Sequence, residues 1–343
     1  MKNNYITGTI NTRVGIVNQI STTWSRLDTW NTIKVRWSIG RMSYSVKPGL
    51  NAVGTPDAES SIFVTSNYKL SFDHLRRALQ GQNAWVLVLD TKGINVWCAA
   101  GKGTFGTGEL VNRIKLHELG RLVNHRNVIV PQLGAVGISA HDVKKETGFN
   151  VVYGPVRAND IITFISSGYK ATPEMRKVNF TLVDRLKLIP VELSFGKFYL
   201  MLVPSIFFIL SGFYQHGYSV DIAWKNGGFA VVNLFAAHFS GCVLTPILLP
   251  WIPFKRFSLK GLAIGWIMAA VLLYFQFLGN SIFEIISWFL IMGGISSFLA
   301  MNFTGATTFT SLSGVQKEMK LSLPLQIITV SIGSIGWIIT RFM

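Results

Sequence analysis

The sequence is poor in cysteine, in acidic residues and, over its second half, in charge of either sign. Only Cys98 and Cys242 occur. One lies in a polar half and one inside an apolar run, which excludes a disulfide framework and leaves no cysteine cluster for an iron–sulfur centre. Sixteen acidic residues stand against 32 Lys and Arg. The basic excess is scattered, with no run longer than a pair in the front half (Arg76-Arg77, Lys144-Lys145, Arg176-Lys177). No RNA-recognition or helix-turn-helix pattern is present, so no nucleic-acid partner is expected, and a face beside anionic lipid accounts for the charge better. Residues 1–30 contain no apolar core of signal-peptide type, so the front half is expected to stay on the cytoplasmic side.

Residues 198–343 carry only ten charged side chains, too few to solvate a globular surface. Five apolar stretches, 199–215, 229–253, 261–279, 282–302 and 321–340, each approach the ~20 residues a helix needs to cross hydrocarbon. The loops after the second and fourth carry Lys255, Arg256 and Lys260, then Lys317 and Lys320. The opposite side has Lys225 beside Asp221, then Glu284 and Arg341. The positive-inside rule then predicts a multi-pass protein of the cell (inner) membrane with its N-terminal half in the cytoplasm, so the lipid bilayer is its first partner. Gly293, Gly294, Ser296, Ser297, Ser331, Gly333, Ser334 and Gly336 mark faces for close helix packing. His238 and Cys242, at i and i+4, read as buried interface residues or as two ligands of a metal relay.

The front half alternates strand and helix signals. Strands are predicted at 61–65, 84–90, 127–130 and 150–153, and helices at 72–79, 109–123 and 140–148. The expected fold is an α/β domain with a mainly parallel sheet, followed by an all-α transmembrane bundle of about five helices. The division runs 1–43 (an unassigned extension), 44–170 (the α/β domain), 171–197 (a connector) and 198–343 (the membrane domain).

Chemistry concentrates in one segment after the most apolar strand: Asn95-Val96-Trp97-Cys98-Ala99-Ala100-Gly101-Lys102-Gly103-Thr104-Phe105-Gly106-Thr107. Open α/β sheets bind ligands at such strand ends. Gly101, Gly103 and Gly106 satisfy G-x-G-x-x-G, but the next strand, 127–132, ends without the carboxylate that holds a ribose. Gly103 stands where a phosphate loop needs Ser or Thr after Lys102. A second reading starts from Cys98. Asn95 is placed to cap a short helix by accepting from the amide of Trp97 or Cys98, and the first turn so formed favours negative charge. Lys102 follows at i+4, and Ala99, Ala100 and Gly101 leave room for a broad flat ligand. A lone cysteine is also commonly a buried structural thiol.

The segment closely resembles the signature of the corrinoid protein of microbial mercury methylation, a family related to the large subunit of the corrinoid iron–sulfur protein. Further likeness lies in 44–54, 64–73, Pro131-Gln132-Leu133-Gly134, 153–158, 184–186 and 190–193, and in 302–307 and 311–314 of the tail. The resemblance implies a cobamide (cobalamin-type) cofactor with Cys98 as the lower axial ligand of its cobalt. It implies a methyltransferase that passes methyl from cobalt to Hg(II). Cofactor contacts carried over are the backbone of Gly101, Gly103 and Gly106, the side chains of Thr104 and Thr107, the loop with Thr65, Asn67 and Tyr68, and Gly154 to Arg157 including Val156, with Arg157 toward phosphate. The implied partners are a ferredoxin-like iron–sulfur protein, as reductant and possible Hg(II) donor, and a methyltetrahydrofolate-linked methyl donor.

Overall fold

The computed structural model describes residues 5–194, 196–303 and 312–343. The chain divides into two units, Met1–Val35 with Ile39–Val178, and Arg36–Ser38 with Asn179–Met343.

The first unit begins with a hairpin of β1 (Ile6–Thr12) and β2 (Gly15–Ile20), then α1 (Arg26–Arg36). There follow β3 (Gly49–Val53), β4 (Ile62–Ser66), α2 (Lys69–Ala78), β5 (Ala84–Leu89), α3 (Val96–Gly101), α4 (Thr107–Leu116), α5 (Leu119–Leu122), β6 (Asn127–Val130), α6 (Ala140–Thr147), β7 (Asn150–Tyr153) and α7 (Ile161–Ser166). The seven strands form one sheet in the order β1-β2-β3-β5-β4-β6-β7. Strands β5, β4, β6 and β7 run parallel, whereas β3 is antiparallel to β5 and β1 to β2. The sheet is therefore mixed, with its parallel half formed by the strands expected from sequence.

β5 explains its own composition. Trp85, Leu87 and Leu89 join one core cluster with Ile62 and Val64 and with residues of α3 and α4. Ala84, Val86 and Val88 join the opposite one, with Phe63 and with residues of α2 and α7. A strand covered on both faces reads as a continuous apolar run. The hairpin at 6–20 gave no apolar period because β1 is an edge strand of Thr, Asn, Gly and Ile in which no side chain is fully buried. The helix expected over 109–123 breaks at Glu118, which takes a left-handed φ of 44°. The break leaves Leu116 exposed and turns Leu119 and Leu122 into the core.

The second unit holds α8 (Leu182–Leu186), α9 (Ile189–Ser194), α10 (Lys197–Leu210) and a two-residue-per-strand hairpin, β8 (Phe213–Tyr214) with β9 (Gly217–Tyr218). Then come α11 (Val220–Phe239), a π-turn at Ser240–Leu244, α12 (Thr245–Leu248), α13 (Phe257–Tyr274), α14 (Ile282–Asn302) and α15 (Leu312–Ile339). Among the described residues, four helices, Val220–Leu248, Phe257–Tyr274, Ile282–Asn302 and Gly314–Ile339, are long and apolar enough to cross a membrane. A fifth span exists if Leu182–Ser194 and Lys197–Leu210, bent by 58°, count together. α10 alone, with 14 residues, reaches about 21 Å, short of the ~30 Å hydrocarbon core. The π-turn precedes Pro246, whose missing N–H and ring cannot continue a regular α-helix.

Small residues bring these helices together as expected. A Cβ on Gly261 would lie 2.5 Å from the Ser296 carbonyl oxygen, and one on Gly333 2.8 Å from that of Ser287. Lys260 is buried, its Nζ donating to the carbonyls of Leu249 and Ile252 at 2.6 and 2.7 Å. Cys242 faces α9, its buried thiol donating to the Glu192 carbonyl at 3.6 Å. It therefore caps a carbonyl at a helix end, an interface role. Of the tail segments 302–307 and 311–314, residues 304–311 lie outside the described residues.

Candidate functional site

The four parallel strands end on one edge of the sheet, β4 at Ser66, β5 at Leu89, β6 at Val130 and β7 at Tyr153. The segments singled out in sequence, 65–68, 95–107, 131–134 and 154–157, sit at these ends. In the spatial order β5-β4-β6-β7 the connections leaving β4 and β6 diverge, which puts the topological switch point between those two strands. α3, entered from β5, reaches across to the loop after β6. A Cβ on Gly137 would stand 3.1 Å from the Ala100 Cα and 2.2 Å from the Phe105 carbonyl oxygen. Only a residue without a side chain permits that approach.

The turn into α3 is held from β4. Asn67 Oδ1 accepts from the Thr91 amide (3.1 Å), the Thr91 hydroxyl (2.8 Å) and the Gly93 amide (2.9 Å), while Nδ2 donates to Asp90 at 3.3 Å. Gly93 has φ 71°, a left-handed conformation that costs glycine little. The Lys92 amide and ammonium hold the Asp90 carboxyl below the usual range against its partial burial. Glu109 closes the other side, accepting from the Asp90 amide at 2.8 Å and pairing with Arg113 at 2.6 Å.

α3 itself is capped as the sequence predicts. The Asn95 side chain accepts from the Cys98 amide at 3.0 Å, and its Nδ2 lies 3.5 Å from Cys98 Sγ. Val96, Ala99 and Ala100 face the core, and Cys98 is exposed. Gly101, Lys102 and Gly103 are exposed, Gly103 with φ 80°. The Thr104 and Phe105 amides both return to the Ala99 carbonyl, at 3.0 and 3.1 Å. Phe105 is fully buried. The Thr107 amide donates to the Gly137 carbonyl at 3.1 Å, and its hydroxyl accepts from the Ser139 amide at 2.8 Å.

The predicted residues thus divide. Cys98, Trp97, Gly101, Lys102, Gly103 and Thr104 reach the surface at least in part, as do Val156 and Arg157. Thr65, Asn67, Tyr68, Phe105, Gly106 and Gly154 are buried. Tyr68 packs edge-on against Tyr44, with ring centroids 6.3 Å apart. The dinucleotide reading loses its geometry: β5 ends at Leu89, and Gly101 closes α3 instead of forming the turn from strand to helix. Two residues of the segments picked out by resemblance, Ser66 and Gln132, were given no individual role: among the described residues, Ser66 Oγ and Gln132 Oε1, at and just after the ends of β4 and β6, are buried without a hydrogen-bond partner. Their burial is a tertiary property that the local sequence does not show.

Buried polar atoms of this kind are costly unless a ligand or water meets them. The same unit carries an exposed sulfur at Cys98 and two exposed apolar side chains. Met42, 91 % exposed, belongs to a turn whose carbonyl approaches Gly93, and Val136, 84 % exposed, belongs to the loop after β6. An exposed thiol is a donor that a metal ion can take.

Comparison with known proteins agrees in class. Residues 31–165 match the family described as CO dehydrogenase/acetyl-CoA synthase delta subunit. The acetyl-CoA decarbonylase/synthase complex subunit gamma of Archaeoglobus fulgidus is 31% identical over 135 residues, covering 38% of this chain and 28% of that protein. The same subunit of Methanopyrus kandleri is 29% identical over 145 residues, covering 41% and 31%. The corrinoid/iron-sulfur protein large subunit of Moorella thermoacetica is 27% identical over 121 residues, covering 35% and 27%. The chain spans about three-tenths of the length of these relatives. Over residues 31–165, which hold α3 and all four parallel strands, the protein is similar to subunits of the corrinoid-protein and acetyl-CoA synthase class.

Proposed function

We propose that the first unit carries a corrinoid on this edge, with Cys98 Sγ as the side chain that would bind its cobalt, and acts as a methyltransferase that converts Hg(II) to methylmercury. The observation that carries the reading is an exposed thiol on a capped, small-residue helix at the switch edge, within residues 31–165, which match the CO dehydrogenase/acetyl-CoA synthase delta subunit family. When bound, the corrinoid supplies the methyl group, and a sulfur donor favours the higher cobalt oxidation state and hence departure of methyl with both bonding electrons, the form Hg(II) accepts.

The chain's own residues supply placement. Asn95 fixes the first turn of α3, so the Cys98 sulfur is presented outward while Ala99 and Ala100 anchor the helix. Asn67 sets the height of that helix above the sheet through the Thr91 and Gly93 amides. Ser66 and Gln132 offer polar atoms to the periphery of the ligand, as Thr104, Thr107 and Arg157 do on its flank. With two cysteines in all, the chain must draw electrons from a partner, a ferredoxin-like iron–sulfur protein that also delivers Hg(II). The methyl group comes from a methyltetrahydrofolate-linked donor. The second unit anchors the protein in the cell membrane, with the first unit on the cytoplasmic side by the placing of Lys255, Arg256, Lys317 and Lys320.

Metal analysis and a visible absorption spectrum of anoxically purified full-length protein test the reading. Stoichiometric cobalt is expected, with mercury methylation abolished by Cys98→Ala, and with cofactor kept but transfer lost in Cys98→His. Cobalt-free protein, or a Cys98→Ala variant that still methylates mercury, would refute it. Cobalt-loaded protein inert toward Hg(II) would assign a different acceptor to the same carrier.

A further inference from the structure

We propose that Asn95 is a positioning residue that limits how strongly the Cys98 sulfur donates to the bound metal; the inference rests on the corrinoid reading above. The Asn95 carboxamide bridges backbone and sulfur. Its Oδ1 accepts from the Cys98 amide at 3.0 Å, and its Nδ2 lies 3.5 Å from Cys98 Sγ, within reach for a donor to sulfur. The orientation of the amide has no ambiguity here. A backbone N–H only donates, so the oxygen must face it, and the NH2 group is left against the sulfur.

Capping alone does not explain the choice of side chain. Ser and Asp cap helices about as well as Asn, and neither brings an N–H to the sulfur. What Asn adds is a hydrogen bond to the lone pairs that a metal would share. Such a bond draws density from a thiolate and weakens its push on the metal, the same lever that sets the potentials of other metal–sulfur centres. A sulfur without it stabilises the oxidised metal more strongly and makes the site harder to reset by reduction. Asn95 therefore holds the ligand at a compromise between releasing methyl with its electron pair and accepting electrons afterwards.

The test uses full-length protein in nanodiscs, loaded anoxically with cobalamin, as wild type, Asn95→Ser and Asn95→Asp. The Co(III)/Co(II) midpoint is read by spectroelectrochemistry, together with the absorption spectrum and the thermal midpoint. The expected midpoints fall in the order Asn, Ser, Asp, with Asn95→Ser shifted by on the order of tenfold in the equilibrium constant, about 59 mV for one electron. Thermal midpoints should stay close, since both replacements keep the cap. Unchanged potentials in both variants would overturn the proposal and leave Asn95 a helix cap. The corrinoid reading fails separately, and this inference with it, if wild type takes up no cobalt or if Cys98→Ala leaves the spectrum of the loaded protein unaltered.

Discussion

Asn67→Ala should loosen the turn that presents Cys98 while leaving the sheet intact. The side chain is buried, and its oxygen is the acceptor for the Thr91 and Gly93 amides at 3.1 and 2.9 Å. Each such bond contributes about 1 kcal/mol net, so losing the two amide bonds costs roughly 2 kcal/mol locally, while the Thr91 hydroxyl keeps its bond to the Ile94 carbonyl and Asp90 keeps the Lys92 amide. At about 1.4 kcal/mol per decade, that corresponds to a roughly 30-fold rise in the opening equilibrium of the turn. Hydrogen exchange measured by mass spectrometry on the full-length protein in detergent reads it directly. Peptides covering 90–97 should exchange about 30-fold faster, and those covering β5 at the wild-type rate. Asn67→Asp keeps an acceptor for both amides but sets a carboxylate against Asp90, whose Oδ1 is 3.3 Å from the present Nδ2. Its effect should be smaller and should shrink as salt is added. Unchanged exchange at 90–97 in Asn67→Ala would refute the reasoning, and so would equal acceleration throughout β5.

Gly137→Ala should separate α3 from the loop after β6, because its Cβ would fall 2.2 Å from a backbone oxygen; a loss of about 1–3 kcal/mol is expected, seen as a lower thermal midpoint together with lower cobalt occupancy. Asp73→Ala should lower stability in denaturant titrations by less than the ~3–5 kcal/mol of a fully stranded buried charge, since it removes the carboxylate 2.6 and 2.7 Å from the buried Lys69 and Arg76 but leaves both paired with Asp28. Acid should weaken the same region. Burial pushes the Asp28 carboxyl up, but hydrogen bonds from Ser25 and Arg76 outweigh it and hold the group below its ordinary value. A depressed carboxyl stabilises the fold above its unfolded pKa, so that contribution should vanish as pH falls below about 4, and Asp28→Asn should flatten the pH profile there. Lys260→Leu should lower the thermal midpoint of the membrane unit by leaving the Leu249 and Ile252 carbonyls without their donor, with membrane topology unchanged in cysteine-accessibility mapping.

The sequence by itself determined what depends on neighbours along the chain. Short apolar runs placed β6 and β7 at their observed bounds and β4 and β5 within a residue, and the shortage of charge marked the helices that can cross a membrane. The Asn95 cap was legible because it spans three residues. Tertiary structure decided what joins distant segments. Nothing local orders the strands β5-β4-β6-β7, yet that order carries α3 over β4 to Gly137 and brings Ser66 and Gln132 to the same edge. Asn67 acts on residues 24 and 26 positions away. The edge hairpin at 6–20 and the break at Glu118 were likewise settled by which side chains the assembled sheet could bury. Periodicity and capping are properties of a few consecutive residues, whereas strand order and cross-loop contacts follow from burying two faces of one sheet at once, and it is that burial which leaves the Cys98 thiol exposed at the edge of the sheet.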